Sequence, residues 1–151
     1  MKSLNQWYAE YAESHQNPTN QWIHFVCVPS IFFSLVGLLM SIPSSFFTSM
    51  GIHSPYLGNW AIPLLIFVWI FYARLSAKTF IKIFIFSILC LIGNVFLSKY
   101  FSVFKVSLLI FIVAWIGQFY GHKVEGKKPS FFKDLQYLLI GPGWVFDKWS
   151  K

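Results

Sequence analysis

Charge is what this chain has least of: only 11% of its 151 residues are charged, and none lies between Glu13 and Arg74. A water-soluble domain of this size would be left with large bare apolar patches, so that class is excluded. Arginine is almost missing too, since Arg74 is the single one among 12 cations. The lysines flank apolar segments and form no cluster. That spacing argues against a nucleic-acid binder despite a formal net charge of +7. Cysteine is limited to Cys27 and Cys90, both inside apolar runs, where they read as small buried hydrophobes and not as a disulfide. The N-terminal stretch has neither the basic start nor the short apolar core of a cleaved signal peptide, so it is expected to belong to the working protein. Glycine-rich phosphate loops, a nucleophile elbow and a dinucleotide fingerprint are all lacking.

What the chain does have is apolar and aromatic surface, 56% and 21% of residues. Four apolar stretches, 25–42, 56–73, 79–98 and 106–121, approach the ~20 residues needed to cross a bilayer. Lys82, Lys99 and Lys105 can snorkel to the headgroups at their ends. Pro29 and Pro63 fall early in their segments, where the first helical turn tolerates a missing donor. The expected fold is all-α: one membrane domain over residues 1–151, a four-helix bundle with an N-terminal interfacial helix and a C-terminal interfacial segment. Cations concentrate on the 74–82 connection and in the two terminal segments (Lys2, Lys123, Lys127, Lys128, Lys133, Lys148, Lys151), leaving only Lys99 and Lys105 opposite. The positive-inside rule then puts both termini in the cytoplasm, in a bacterial inner membrane or in the endoplasmic reticulum of a eukaryote.

That topology gathers every carboxylate (Glu10, Glu13, Glu125, Asp134, Asp147) and His15, His24 and His122 on one face, leaving His53 alone on the other. In the first segment Leu4, Trp7, Tyr8, Tyr11 and His15 share a helical stripe. Asn17-Pro18 should end this helix, because the residue before proline is pushed out of the helical region. Thr19 or Asn20 is then suited to cap the first span. The break would let His15 and His24 converge. At the other end Gln118 and His122 share a face, and His122 and Glu125 are one turn apart. Gly117 and Gly121 are spaced for close helix packing. Gly126 and Pro129 should stop the helix just beyond Glu125.

Three imidazoles and a carboxylate on one face suit Fe(II) or Zn, and open positions on such a centre are what oxygen chemistry requires. Hydrogen-bonded interfacial histidines, with Glu125 paired to a nearby lysine, are the alternative, and the residues alone leave both readings open. Asp147, on a tail too short to cross, is a further candidate carboxylate. That tail is expected to cover the site, with Gly141-Pro142-Gly143 as a bend. A non-enzymatic lipid-binding or assembly protein remains the alternative function. A transporter is disfavoured, because no span carries a charge at its middle.

Two blocks carry a resemblance: His15-x-Asn17-Pro18-x-Asn20-x-x-x-His24 with Pro29 beyond it, and Gln118-x-x-Gly121-His122-x-x-Glu125-Gly126-Lys127-Lys128-Pro129. In this order, at opposite ends of the chain, they resemble the membrane 2-hydroxy fatty acid dioxygenases, a family that includes the yeast endoplasmic-reticulum enzyme of phytosphingosine degradation. The resemblance covers nearly the whole chain. It implies an Fe(II)-dependent α-oxidation that consumes O2 and shortens a long-chain 2-hydroxy fatty acid by one carbon. By the same resemblance His15, His24 and His122 hold the iron, with Glu125 as a fourth candidate ligand and catalytic group. Asn17, Asn20, Gln118 and Lys123 are candidates to bind the substrate head, and Cys27 stands where the family often has glycine.

Overall fold

In the computed structural model, residues 3–126 and 137–149 are described. Lys2, Lys127, Lys128, Pro129, Lys133, Asp134 and Lys151, named above, lie outside them. The described residues form seven helices and no strand: α1 (Leu4–Ala12), α2 (Pro18–Met40), α3 (Ser45–Ser49), α4 (Ala61–Leu75), α5 (Ala77–Leu97), α6 (Val103–Val124) and α7 (Gly141–Trp149).

Local sequence sets most helix starts. Ser3 and Gln6 form a reciprocal capping box on α1. The Ser76 and Ser102 hydroxyls accept from the backbone N–H groups of Thr79 and Lys105 at the starts of α5 and α6. The first span begins earlier than expected. Asn17, not Thr19 or Asn20, is its cap, with Oδ1 2.9 Å from the Thr19 N–H, and Pro18 occupies the first helical position. Proline's fixed φ suits that position, and its missing N–H would have had no helical partner there. Because the helix starts well before the apolar stretch, Pro29 lies inside α2 and not in its first turn. A membrane helix tolerates such an interior proline when its surroundings re-satisfy the freed carbonyl. Pro63 does fall in the first turn of α4.

Helices α2, α5 and α6, of 23, 21 and 22 residues, are long and apolar enough to cross a membrane, which makes this a membrane protein. At 15 residues, α4 is shorter; at ~1.5 Å per residue it falls short of a ~30 Å hydrocarbon core. Side chains such as Leu89, Leu109 and Ile116 are more than half exposed, as lipid-facing residues would be. The core joins Phe32 and Val36 of α2, Leu65, Val68 and Tyr72 of α4, and Ile83, Cys90 and Leu91 of α5.

Among the described residues the pairing of α2 with α6 is the most extensive, and it rests on glycine. A Cβ at Gly117 would lie 2.6 Å from the Cys27 sulfur, and one at Gly121 would lie 2.4 Å from Asn20 Oδ1. The expected close-packing pair is thus used along its whole length, and the Cys27 side chain fills the space Gly117 leaves.

The tail does cover the histidine end, but Gly141-Pro142-Gly143 is the first turn of α7 and not a bend. Proline fits a first turn, and the glycines fit close approach. A Cβ on Gly143 would sit 2.7 Å from the Tyr72 ring, whose hydroxyl accepts from the Gly143 N–H at 3.0 Å. Further along α7, Asp147 accepts hydrogen bonds from Tyr8 of α1 (2.8 Å) and Thr79 of α5 (2.7 Å) and pairs with Lys82 (2.5 Å). Burial raises the Asp147 carboxyl pKa, but the bonds from Lys82, Thr79 and Tyr8 outweigh it and leave the pKa lowered. Burial and the Asp147 bond push the Tyr8 phenol upward, so it stays protonated as the donor. A carboxyl whose pKa is lowered by folding stabilises above its unfolded value and loses that contribution as pH falls through the folded one. Asp147→Ala should therefore cost about 1–3 kcal/mol in detergent unfolding at neutral pH. The gap between variant and wild type should close as pH drops below about 4; a gap independent of pH would mean the carboxylate charge contributes nothing.

Candidate metal centre

Each histidine reaches the centre from a different element. His15 lies in the turn between α1 and α2, His24 on the second turn of α2, and His122 on the last turn of α6. The three residues are 3%, 1% and 5% exposed, and one ligand nitrogen from each falls within 4.8 Å of the others. Nitrogens bound at about 2.1 Å to one ion lie roughly 3–3.5 Å apart, so a small contraction would complete a three-imidazole site.

Two of the rings are oriented by backbone carbonyls one helical turn earlier. His15 Nδ1–H donates to the Tyr11 carbonyl at 2.6 Å, and His24 Nδ1–H donates to the Asn20 carbonyl at 2.9 Å. With Nδ1 protonated, Nε2 carries the lone pair, the tautomer a metal ligand needs. Tyr11 also stacks on His15, with centroids 4.0 Å apart and an interplanar angle of 11°. Trp144 of α7 packs against both rings, 5.7 Å from His15 and 5.1 Å from Tyr11. The Gln118 side chain lines the same cavity as His15 and His24.

Glu125 stands beside the centre and not among the converging nitrogens. Its Oε1 accepts from the Gln16 N–H at 2.8 Å; its Oε2 accepts from the Asn17 N–H and from Asn20 Nδ2, both at 2.9 Å. Burial raises this carboxyl's pKa, but the bonds from Asn17, Asn20 and Gln16 win and hold it below the ordinary value. A carboxylate from the end of α6 thereby clamps the α1–α2 turn that carries His15. Gly126, at φ +74°, closes α6 immediately after it, in the left-handed conformation glycine adopts cheaply.

The other candidate residues divide. Asn17 is a cap, so its backbone and side chain are already engaged. Asn20 is fully buried and bridges the Ser14 carbonyl to Glu125. Gln118 lines the centre. Lys123 is exposed, and so is His53, which lies in the 51–60 region apart from the other histidines. Asp147 belongs to the α7 tether. Sequence reading had Tyr11 on the correct stripe without its stacking role. It had no signal for Trp144 beyond the apolar character of the tail.

Comparison with curated proteins and with solved structures gives no match. Residues 1–151 match the family described as 2-hydroxy-palmitic acid dioxygenase Mpo1-like. With a buried three-histidine centre at one end of its apolar helices, this chain belongs to the Mpo1-like family of 2-hydroxy-palmitic acid dioxygenases.

Proposed function

We propose that the chain is an Fe(II)-dependent dioxygenase that converts a long-chain 2-hydroxy fatty acid into the fatty acid one carbon shorter. The observation that carries this reading is the convergence of three buried, carbonyl-oriented imidazoles in a member of a dioxygenase family. His15, His24 and His122 would hold an Fe(II) ion, which would supply the activation of O2.

The stoichiometry balances without a reductant. Carbon 2 goes from alcohol to carboxyl and carbon 1 from carboxyl to CO2, a four-electron oxidation that one O2 accepts in full. The 2-hydroxy acid and O2 thus give the shorter acid, CO2 and water. No electron-donating partner protein is needed.

The chain's own residues hold and orient. Tyr11 and Asn20 fix the tautomers of His15 and His24 through their carbonyls. Glu125 holds the turn that delivers His15, acting as a clamp and not as a ligand. Gln118 is placed to bond the substrate head, and exposed Lys123 can draw a carboxylate towards the interface. The alkyl chain would lie along the apolar helices, and the lysine distribution puts this end at the cytoplasmic side.

The test is direct. Detergent-purified protein, loaded anaerobically with Fe(II), should bind about one iron per chain and convert 2-hydroxypalmitate to pentadecanoate with one O2 consumed per product. No iron uptake and no product would return the chain to the non-enzymatic lipid-binding reading.

A further inference from the structure

A small cavity opens beside the histidines and runs between α2 and α6, with about 20 Å³ open to the centre of a water-sized sphere. Two of its walls follow the histidine-bearing faces of α2 and α6, and Tyr11, Tyr137 and Leu138 complete it. Val28 and Ile31 come four and seven residues after His24, and Gln118 and Trp115 come four and seven before His122, so each helix contributes one continuous stripe. His15, His24 and Gln118 line the polar end, while Val28, Ile31 and Trp115 line the apolar end and are themselves buried. Ile31 and Trp115, which line it, pack together with Ala114.

Size and wall chemistry select the occupant. The space is room for about one small molecule. A long acyl chain needs a cleft of several hundred Å³, so the substrate tail cannot lie here. Water is held in a buried cavity by two to four polar partners, and the Val28, Ile31 and Trp115 end offers a molecule an apolar wall. A small apolar diatomic fits both the volume and the wall, and it can arrive through the hydrocarbon of the bilayer.

We propose that this cavity is the dioxygen chamber of the three-histidine centre, and that Val28, Ile31 and Trp115 exclude the acyl chain from it. The proposal rests on the dioxygenase reading, and its test separates the two. Xenon, an apolar atom that enters such cavities, is titrated into metal-free protein in detergent and followed by 129Xe NMR. Val28→Leu adds one methylene at the wall and Ile31→Phe fills the apolar end; iron uptake by both variants checks that they fold. Wild type should show a saturable xenon site that weakens in Val28→Leu and is lost in Ile31→Phe. In the iron-loaded enzyme, KM for O2 should rise about tenfold in Ile31→Phe, a change of about 1.4 kcal/mol, while KM for 2-hydroxypalmitate stays within about twofold. No saturable xenon site in wild type, xenon binding unchanged by Ile31→Phe, or a shift in the fatty-acid KM instead of the O2 KM would each overturn the proposal. A saturable xenon site in a protein that shows no turnover would leave the gas-sized chamber standing and sink the dioxygenase reading alone.

Discussion

Replacing His122 with alanine should eliminate both iron binding and conversion of 2-hydroxypalmitate, while the protein still inserts and purifies as wild type does. His24→Ala should do the same. The size of the loss is informative. Residues that only orient a ligand typically cost 10–100-fold in metal affinity or activity, so a ligand should exceed that range. All three imidazoles are buried and their ligand atoms lie within 4.8 Å of one another. Removing one leaves two neutral nitrogens and a cavity at the interface. His53→Ala is the control: His53 is exposed, stands apart from the centre, and should leave iron content and turnover unchanged. Full iron content in His122→Ala or His24→Ala would remove the histidine cluster as the centre, whatever the turnover.

Glu125→Ala is expected to separate the two roles open to this carboxylate. As a ligand, Glu125 would behave like the histidines, and its loss would leave no stoichiometric iron. As a clamp, its loss releases the Gln16 and Asn17 N–H groups and the Asn20 amide, which its two oxygens receive at 2.8–2.9 Å. The α1–α2 turn then loosens, and His15 samples positions away from the other two rings. Iron affinity should fall by about 10–100-fold, with full loading regained at high Fe(II). Glu125→Gln should rescue only in part, because an amide keeps one acceptor oxygen and turns an N–H towards a donor. Glu125→Ala protein that takes up no iron at any Fe(II) concentration would make Glu125 a ligand and refute the clamp. Asn20→Ala should reproduce a milder version of the clamp phenotype, since it removes one of the three bonds.

Both variants illustrate how much of the centre could be read from the chain. Helical spacing suffices for Gln118, His122 and Glu125, because all three belong to one helix and its cap. The same holds for the stripe that puts Tyr11 beside His15, and for the Asn17-Pro18 break that lets His15 turn back. The helix starts were harder. Asn17 was passed over as the cap because Thr19 and Asn20 are equally suitable residue types. Only the Oδ1 contact to the Thr19 N–H distinguishes them. Pro29 reads as early only when counted from Phe25, where the apolar stretch begins; the helix itself starts seven residues sooner, at Pro18.

By itself the sequence determined the class of molecule and the inventory of its site. Charge-free stretches of membrane length require helices, because in hydrocarbon each backbone N–H and C=O must find its partner within the segment. Periodicity then assigns each polar residue to a face. Only the tertiary structure decided which of those residues meet. It brought His15, His24 and His122 together across more than 100 positions of chain, gave Glu125 three N–H partners from the distant turn, and sent Asp147 to Lys82, Thr79 and Tyr8. The physical reason is that a carboxylate near one helix end has several donors within reach. Which of them it takes depends on the angle and depth at which helices pack. Those are set by small residues such as Gly117 and Gly121, whose missing side chains let α2 and α6 approach.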